Sequence, residues 1–260
     1  MTLSQAQRRE AIIAQLYRDG HVQINGLAEQ LKVSVATIRR DLKALARDGL
    51  LELTHGGATV RRDSDLSFMA KLTRNAEEKK TIGRLAAALV QDGDQVFLDS
   101  GTTCFHLAQY LRSKRQLCVI VNSIRTAQEL ISPGVKVLLL GGQFRPERMD
   151  TIGPMASASL DQLRGYKAFF GTDGLGMDFG PTATDIESAS LFGQAVRSAR
   201  HAILLADHTK FDAPALYRIV EWKSVAKIVT DRQPSDEWMQ FFSSLQIQVI
   251  YPGSGSISGG

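Results

Sequence analysis

The chain has 260 residues, of which 43% are hydrophobic, 22% charged and 7% aromatic, a globular composition that excludes a disordered or collagen-like chain. No stretch approaches the roughly 18 consecutive apolar residues of a membrane helix, and the N-terminus lacks the order of a signal peptide, so we expect a cytoplasmic protein. The net charge of +4 comes entirely from residues 1–62, which hold ten bases and six acids, whereas the remainder holds 21 of each. A basic head beside a neutral body suggests a polyanion partner for the head; the alternative is a solvated basic surface.

The head predicts a helix-turn-helix domain. Apolar residues at helical spacing form a first helix that ends at Gly20. A second helix begins at Asn25, a good N-cap, and a tight turn at residues 32–33 leads to a third helix capped by Ser34. Two helices joined by so short a turn form the helix-turn-helix arrangement, which we place at about residues 22–41.

The third helix predicts a face that binds DNA. In this motif the first residues of the second helix reach base edges, while basic and hydroxyl side chains bind phosphates. The alternative is a surface helix of another three-helix domain. The candidate residues on the helix are Ser34, Val35, Ala36, Thr37, Arg39, Arg40 and Lys43.

The segment LLELTHGGATV favours DNA binding over that alternative. It predicts a strand, a turn at Gly56 and Gly57 and a second strand, which together would form a wing after the recognition helix. We add both glycines and His55 to the DNA-binding candidates. His55 either contacts phosphate or is only a turn residue.

The head resembles a known family. The run from Val22 through TIRRDL at residues 37–42 to HGG at residues 55–57 is similar to the signature of the DeoR-type bacterial transcription regulators. The resemblance implies a winged helix-turn-helix that binds double-stranded operator DNA. Because such proteins commonly read paired half-sites, we expect a homo-oligomer, either a dimer or a tetramer.

Residues 61–76 are polar with isolated apolar positions and predict a connector that is partly helical. The alternative is a helix that docks on the body through Phe68, Met69 and Leu72. The expected organisation is a DNA-binding domain at residues 1–60, this linker, an α/β domain at residues 77–252 and a disordered tail at residues 253–260.

The body predicts a mostly parallel sheet. From Glu77 onward, helical patterns alternate with short apolar strands, as in an α/β domain whose sheet is covered on both faces. Ligands bind such sheets at the carboxyl ends of the strands. The fold class is therefore α/β, with a small winged helix-turn-helix domain in front.

Small or polar residues follow five of the predicted strands and suggest an anion pocket. The first set, from Asp99 to Thr103, precedes a helix and can cradle a phosphate, or is an N-cap and turn without a ligand. Lys79 opens the first helix of the body, and its charge can reach the same crevice. The effector-binding candidates are Lys79, Asp99, Ser100, Gly101, Thr102, Thr103, Asn122, Ser123, Gly141, Gly142, Asp173, Gly174, Asp207 and Lys210.

The body also resembles the DeoR family, through its sugar-phosphate sensor domain. The matching pieces are EEKKTIG, LDSGTT, VNS, LLGG, GTDG and DHTKF, so the resemblance covers roughly residues 4–251. It implies a regulator, most often a repressor of a carbohydrate-catabolism operon. Its effector would be a phosphorylated sugar or sugar derivative, with the phosphate at residues 101–103, and no cofactor is implied. It also implies a sensor fold similar to that of ribose-5-phosphate isomerases.

Two further segments remain open. Residues 177–191 predict a variable specificity loop, in which Thr182, Asp185 and Glu187 read sugar hydroxyls, or a plain surface loop. A second charged group forms either another lip of the pocket or, as we prefer, exposed solvated charges. Its members are Arg145, Glu147, Arg148 and Asp150.

The alternative function is an isomerase-like enzyme that acts on sugar phosphates and carries a DNA-binding head. The carboxylates and amine of the predicted pocket, together with Glu187, suit proton transfer. Against it, no nucleophile–base pair stands out, the five histidines are scattered, and the two cysteines lack the spacing of a zinc site. We therefore expect no catalytic residues and no metal.

Overall fold

The computed structural model describes residues 4–47, 51–59, 68 and 71–254. Residues 1–76 belong to one compact unit and nearly all later residues to a second. Most of the predicted linker, including Met69, and residues 255–260 of the predicted tail lie outside the described residues. Within the linker, residue 68 and residues 71–73 are helical.

The described head contains three helices and three short strands around one apolar core. Ile12, Leu16, Ile38 and Leu42 are fully buried in that core. Gly20 ends the first helix in the left-handed conformation, with a φ of 74°. The elements are α1 (Gln5–Asp19), β1 (His21–Gln23), α2 (Ile24–Gln30), α3 (Val35–Arg47), β2 (Glu52–Thr54) and β3 (Gly57–Thr59).

Two local predictions in the head are corrected. Asn25 lies inside α2, because β1 runs directly into the helix and places Gln23 at the cap position, without a capping hydrogen bond from its side chain. The wing turn consists of His55 and Gly56, because Gly57 already pairs with Thr54 in β2 and with Gln23 in β1. β3 therefore lies between β1 and β2.

A buried carboxylate joins α1 to α3. Asp41, only 1% exposed, accepts hydrogen bonds from Nε of Arg8 at 2.5 Å and from Nε of Arg9 at 3.4 Å. Removing one partner of such a pair leaves an uncompensated buried charge, at a cost of about 3–5 kcal/mol. Part of the positive charge counted in the head therefore stabilises its fold.

The body confirms the predicted parallel sheet. Its seven strands are all parallel, in the order β15-β14-β12-β9-β4-β5-β6. The elements are α4 (Ala76–Ala87), β4 (Gln95–Leu98), α5 (Thr102–Leu111), β5 (Leu117–Val121), α6 (Ile124–Glu129), β6 (Val135–Leu139), β7 (Gln143–Arg145), β8 (Asp150–Ile152), α7 (Pro154–Asp161), β9 (Lys167–Gly171), β10 (Gly174–Gly176), β11 (Gly180–Ala183), α8 (Ile186–Ser198), β12 (His201–Leu205), β13 (Tyr217–Arg218), β14 (Lys227–Val229), α9 (Asp236–Ser244) and β15 (Gln248–Ile250).

The strand order reverses between β4 and β9. Successive strands after β4 add on one side of it, whereas β9, β12, β14 and β15 add on the other. In open α/β sheets such a reversal leaves a crevice at the carboxyl ends of the two strands, where ligands bind.

The prediction of one loop over residues 177–191 is wrong. β11 occupies residues 180–183 and pairs with both β10 and β13, and α8 begins at Ile186. Gly and Pro in this segment are typical of a loop. Here, however, Gly180 has a φ of 95° and lies against the backbone of Val220, so the glycine permits a close approach within a buried sheet.

Five aromatic side chains pack α9 against the segments that follow β12 and β13. Neighbouring ring centroids in this cluster lie 5.1 Å apart between Phe211 and Trp238 and 5.4 Å apart between Trp222 and Phe242, and Phe241 completes it. Nε1 of Trp238 also donates to Asp212 at 3.0 Å. The cluster thereby fixes the segment that follows β12.

Gly57→Ala tests the close pairing of β1 with β3. A Cβ at this position overlaps the carbonyl oxygen of Val22, so we expect the head to lose about 2–3 kcal/mol of stability. The matched control is Gly56→Ala, where an added Cβ would have no described atom within 4 Å. Only the φ of 88° is unfavourable for alanine, so we expect a loss of about 1 kcal/mol of stability. Hydrogen exchange of the head's amides measures both losses. Equal losses in the two variants would contradict the pairing argument.

Candidate functional site

The outer face of α3 carries the basic residues that were predicted from the sequence to bind DNA. Arg39, Arg40 and Lys43 are exposed, whereas Ile38 and Leu42, on the opposite face, are buried. This face is polar and cationic because the apolar stripe of the helix faces the core.

The first turn of α3 is also accessible. Ser34 and Ala36 are exposed, and Val35 and Thr37 are partly exposed. Oγ of Ser34 accepts a hydrogen bond from the amide of Thr37 at 3.1 Å, which confirms the predicted cap. The N-terminal residues of this helix are therefore available to a partner.

The three DNA-binding candidates of the wing differ in their exposure. His55 and Gly56 are exposed at the turn, but Gly57 is buried in β3. The structure thus places Gly57 inside the wing sheet rather than on its surface.

All the predicted effector residues of the body except Lys79 follow the carboxyl ends of strands in one sheet. They come after β4, β5, β6, β9 and β12, and because the strands are parallel these ends share one edge. Gly141 is exposed there, with open space around a Cβ position. The sheet therefore brings the five segments to the edge that the sequence predicted.

Asp99 connects β4 and β9, the two strands between which the strand order reverses. Its carboxylate accepts the amide of Gly101 at 2.8 Å and the amide of Gly171, the last residue of β9, at 2.6 Å. The side chain is 1% exposed, and burial raises the pKa of Asp99 against these hydrogen bonds. Both oxygens thus accept backbone amides, so the carboxylate of Asp99 helps to fix the loop after β4 against the end of β9.

Among the described residues, no side chain caps the N-terminus of α5. Gly101 occupies the cap position without a side-chain hydrogen bond, whereas Ser123, Asp185 and Ser235 cap α6, α8 and α9. The first amides of a helix have no acceptors within it, and together with the helix dipole they form an anion-binding site. This is the feature that the Gly-Thr-Thr sequence predicted.

The end of β12 contributes a charged group. The carboxylate of Asp207 accepts the amide and the hydroxyl of Thr209 at 3.0 and 2.5 Å. Burial alone would raise the pKa of Asp207, but these hydrogen bonds and the charges of Lys210 and Lys79 lower it. Lys79, 5% exposed in α4, therefore lies within electrostatic reach of this strand end.

The candidate residues Asn122, after β5, and Asp173, after β9, also form hydrogen bonds within the protein. Nδ2 of Asn122 donates to the carbonyl of Thr151 at 3.1 Å, while its buried Oδ1 accepts no hydrogen bond among the described residues. Oδ2 of Asp173 accepts from the amide and the hydroxyl of Thr184, each at 2.9 Å. A Cβ on Gly174 would overlap the carbonyl of Ala213, so that glycine serves packing.

The hairpin of β7 and β8 carries a buried ion network that the sequence did not reveal. Nε and Nη2 of Arg145 donate to Asp150, each at 2.8 Å, and Nη1 donates to Asp185 at 2.7 Å. Arg145 and Asp150 are 8% and 1% exposed, so the expectation of exposed charges is wrong for these two. Glu147 and Arg148 are partly exposed.

The proposed hydroxyl readers Thr182 and Asp185 also have partners. Thr182 is fully buried, and its hydroxyl donates to the carbonyl of Gly174 at 2.7 Å. The carboxylate of Asp185 is shared between Arg145 and the cap of α8, where Ser188 donates its amide at 3.0 Å. Only Glu187 is exposed.

Other candidate chemistry is limited in the described part of the chain. It contains no cluster of three or more His, Cys, Asp or Glu that would suit a metal, and no helix long and apolar enough to span a membrane. Burial raises the pKa of the Cys104 thiol, which is therefore not a reactive thiolate. A hollow of about 360 Å³ lies between α8 and β13 and is lined by none of the predicted effector residues.

Comparison with known proteins gives matches to both units. Residues 8–64 match the model of a DeoR-like helix-turn-helix domain, and residues 74–232 match that of the DeoR C-terminal sensor domain. The Lactose phosphotransferase system repressor of Lactococcus lactis is 33% identical, over 93% of this chain and 96% of that protein. The Glycerol-3-phosphate regulon repressor of Escherichia coli is 28% identical, over 95% and 99%. Among solved structures, ribose 5-phosphate isomerase A of Methanocaldococcus jannaschii matches with a TM-score of 0.39 and 16% identity, over 53% of this chain and 55% of that one.

Asp185→Asn tests the charge pairing at Arg145 while keeping a side chain that can cap α8. Burial alone would raise the pKa of Asp185, but hydrogen bonds from Arg145 and Ser188 lower it from 3.8 to about 2. The carboxylate therefore stabilises the fold fully above pH 3.8, and this contribution disappears as the pH falls towards 2.

We expect the difference in free energy of unfolding between the wild type and this variant to be largest near neutral pH and to shrink between about pH 4 and pH 2. Urea denaturation at a series of pH values measures it. A difference that stays constant over this range would contradict the pairing.

Proposed function

The chain belongs to the DeoR family of transcriptional regulators, and from that premise we propose that it represses a carbohydrate-catabolism operon. A phosphorylated sugar or sugar derivative binds the body and changes the affinity of the head for operator DNA. The observation that carries this proposal is the uncapped N-terminus of α5 at the carboxyl edge of the sheet, with Lys210 and Lys79 near the end of β12.

The spacing of the strands suits a ligand of this size. Only β9 separates β4 from β12, so their ends lie about 10 Å apart. A phosphate at the amides of residues 101–103 leaves its sugar to extend along the edge towards Lys210. The open surface at Gly141 lies on the other side of β4 and leaves room for the ligand there.

The named relatives support this ligand chemistry. One is named for a phosphotransferase system that handles lactose, and the other for glycerol 3-phosphate. Both names join transcriptional repression to the metabolism of a sugar or a phosphorylated polyol. We assign the same class of effector to this chain.

The DNA side of the proposal rests on α3 and the tip of the wing. Arg39, Arg40 and Lys43 contact phosphates or guanines, the first turn of α3 reaches base edges, and His55 with Gly56 contacts the backbone beside them. A homo-oligomer presents two such heads to paired half-sites.

We favour a regulator over the isomerase-like enzyme because the carboxylates best placed for proton transfer are engaged. Asp99 accepts two backbone amides, and Asp207 accepts an amide and a hydroxyl of Thr209. A general base needs a carboxylate oxygen within reach of the substrate proton. Turnover of a pentose or hexose phosphate by the purified protein would overturn this choice.

Arg39→Ala and Arg40→Ala test the DNA-binding face. Each substitution removes an exposed cation from α3, so we expect operator affinity to fall by about 1–3 kcal/mol for a base contact, or the salt dependence to fall by about one unit of slope for a phosphate contact. Fluorescence anisotropy on DNA from upstream of the gene, at fixed and then varied salt, measures both.

The matched control is Lys223→Ala, which removes an exposed cation from the body and is expected to leave operator affinity unchanged. Effector binding should survive in both arginine variants. Loss of DNA and effector binding together, or no loss of either, would contradict the assignment.

An effector titration tests the body. With the protein on its operator fragment, glycerol 3-phosphate, ribose 5-phosphate, glucose 6-phosphate and fructose 6-phosphate are added in turn, with inorganic phosphate as the minimal anion. One compound should shift operator affinity by roughly 5–150-fold, the range of common allosteric couplings. Lys210→Ala should abolish that shift and keep DNA binding, because it removes a charge from the pocket alone. Tight DNA binding that no compound alters would count against the sensor.

A further inference from the structure

We propose that Arg145 is a positioning residue for the effector site. It holds the loop of residues 99–103 in place through Asp150 and Ser100. The inference rests on the proposed function for what the loop binds, but the contacts that fix the loop are independent of any ligand.

Ser100 ties the loop to the hairpin. Its hydroxyl donates to Oδ2 of Asp150 at 3.1 Å, across fifty residues of sequence. Ser100 was a candidate ligand of the effector, yet this hydroxyl proton is directed to a carboxylate of the protein. The serine therefore acts as a tether, and the amides at the start of α5 remain for the anion.

Asp150 depends on Arg145 to accept this hydrogen bond. The carboxylate is 1% exposed, and two guanidinium nitrogens of Arg145 bind its two oxygens at 2.8 Å each. The charge of Arg125 also acts on Asp150, but Arg145 supplies the two nitrogens that hydrogen-bond its oxygens. A buried carboxylate that loses such donors is costly and neutralises or moves. Loss of Arg145 therefore releases the tether without touching the loop itself.

The other side of the guanidinium fixes Arg145 in its turn. Nη1 donates to Asp185 at 2.7 Å, and Nη2 also donates to the hydroxyl of Ser188 at 3.0 Å. Both residues belong to the start of α8, whose cap is Asp185. The guanidinium thus has one orientation, set by two separate elements.

The hairpin is also fastened to the neighbouring strand ends. The amide of Thr151 donates to the carbonyl of Asn122 at 2.8 Å, and its hydroxyl donates to the carbonyl of Leu140 at 2.6 Å. The segments after β4, β5 and β6 are therefore joined through one hairpin. This arrangement makes Arg145 a determinant of the shape of the site, although a ligand at α5 need not touch it.

The test compares two buried ion pairs in the full-length protein. Arg145→Met breaks the pair at the carboxyl edge. The control, Lys167→Met, breaks the pair of Lys167 with Asp94, whose atoms are 2.7 Å apart and whose side chains are each 9% exposed, at the amino end of β9. Both variants should lose thermal stability, so stability alone does not separate the hypotheses. Arg145→Lys keeps the charge and serves if the methionine variant does not fold.

The first measurement needs no ligand. Hydrogen exchange of the peptide covering residues 99–105 should be faster in the Arg145 variants than in the wild type and unchanged in Lys167→Met. Unchanged exchange in the Arg145 variants, or an equal increase in the control, would overturn the positioning role whether or not the body binds a sugar phosphate.

The second measurement is calorimetric titration with inorganic phosphate and the four sugar phosphates named above. Whichever compound binds the wild type should bind Arg145→Met roughly tenfold or more weakly, Arg145→Lys with intermediate affinity, and Lys167→Met as well as the wild type. Equal affinities in the wild type and Arg145→Met would refute the inference. If no compound binds the wild type, the proposed function fails while the exchange result still decides the positioning role.

A double-mutant cycle identifies the route. Ser100→Ala removes the tether, so in combination with Arg145→Met it should add little to the loss of affinity. Combined with Lys167→Met, the effects should add, because those sites share no partner. Additive losses for Ser100 and Arg145 would show that Arg145 acts by another path and would reject the proposed one.

Discussion

The carboxylate of Asp99 links the two strands between which the strand order reverses, and the carboxyl edge of the sheet is arranged around it. The carboxylate accepts backbone amides from the loop after β4 and from the end of β9. A Cβ on Gly101 would lie 3.0 Å from this carboxylate, so a side chain there would crowd it. Because the backbone supplies these donors, the loop before α5 is fixed while Gly101 occupies the cap position, and the first amides of α5 form the anion site that we propose.

Buried carboxylates play the same part in the head and at the hairpin. Asp41 engages Arg8 and Arg9 between α1 and α3, and Asp150 engages Arg145 beside the sheet. In each case a buried carboxylate forms ion pairs with nearby arginines and fixes the distance between two elements. The exposed cations of α3 are therefore only part of the positive charge of the head. A count of bases and acids does not show which of them are exposed.

The sequence predicted the features that depend on short-range patterns. Gly20 and Ser34 marked helix ends, and the alternation of apolar strands with helices predicted the parallel sheet. The positions of the polar residues after the strands predicted which segments share its carboxyl edge. These signals are local because each arises within one turn or one strand. The family resemblance added the ligand class, which no spacing of residues contains.

The remaining features depend on contacts far apart in the chain. β1 has three residues and forms a strand only because β3 lies beside it. Arg145 meets Asp185 across forty residues, so neither residue signals its burial locally. The segment from residue 177 carries Gly and Pro, typical of a loop, and becomes a strand because two neighbours pair with it. The protein contacts of Asp99 and Ser100 are also long-range, since Asp99 accepts the amide of Gly171 and Ser100 donates to Asp150.

The aromatic cluster on α9 gives the body a tryptophan fluorescence that the head does not have. The chain has two tryptophans, Trp222 and Trp238, and both lie in that cluster within the body. Intrinsic tryptophan emission therefore reports on the body and is silent for the head. Trp238 contacts both Phe211 and Asp212, which directly follow Lys210. This natural fluorophore therefore lies close to the charged segment after β12.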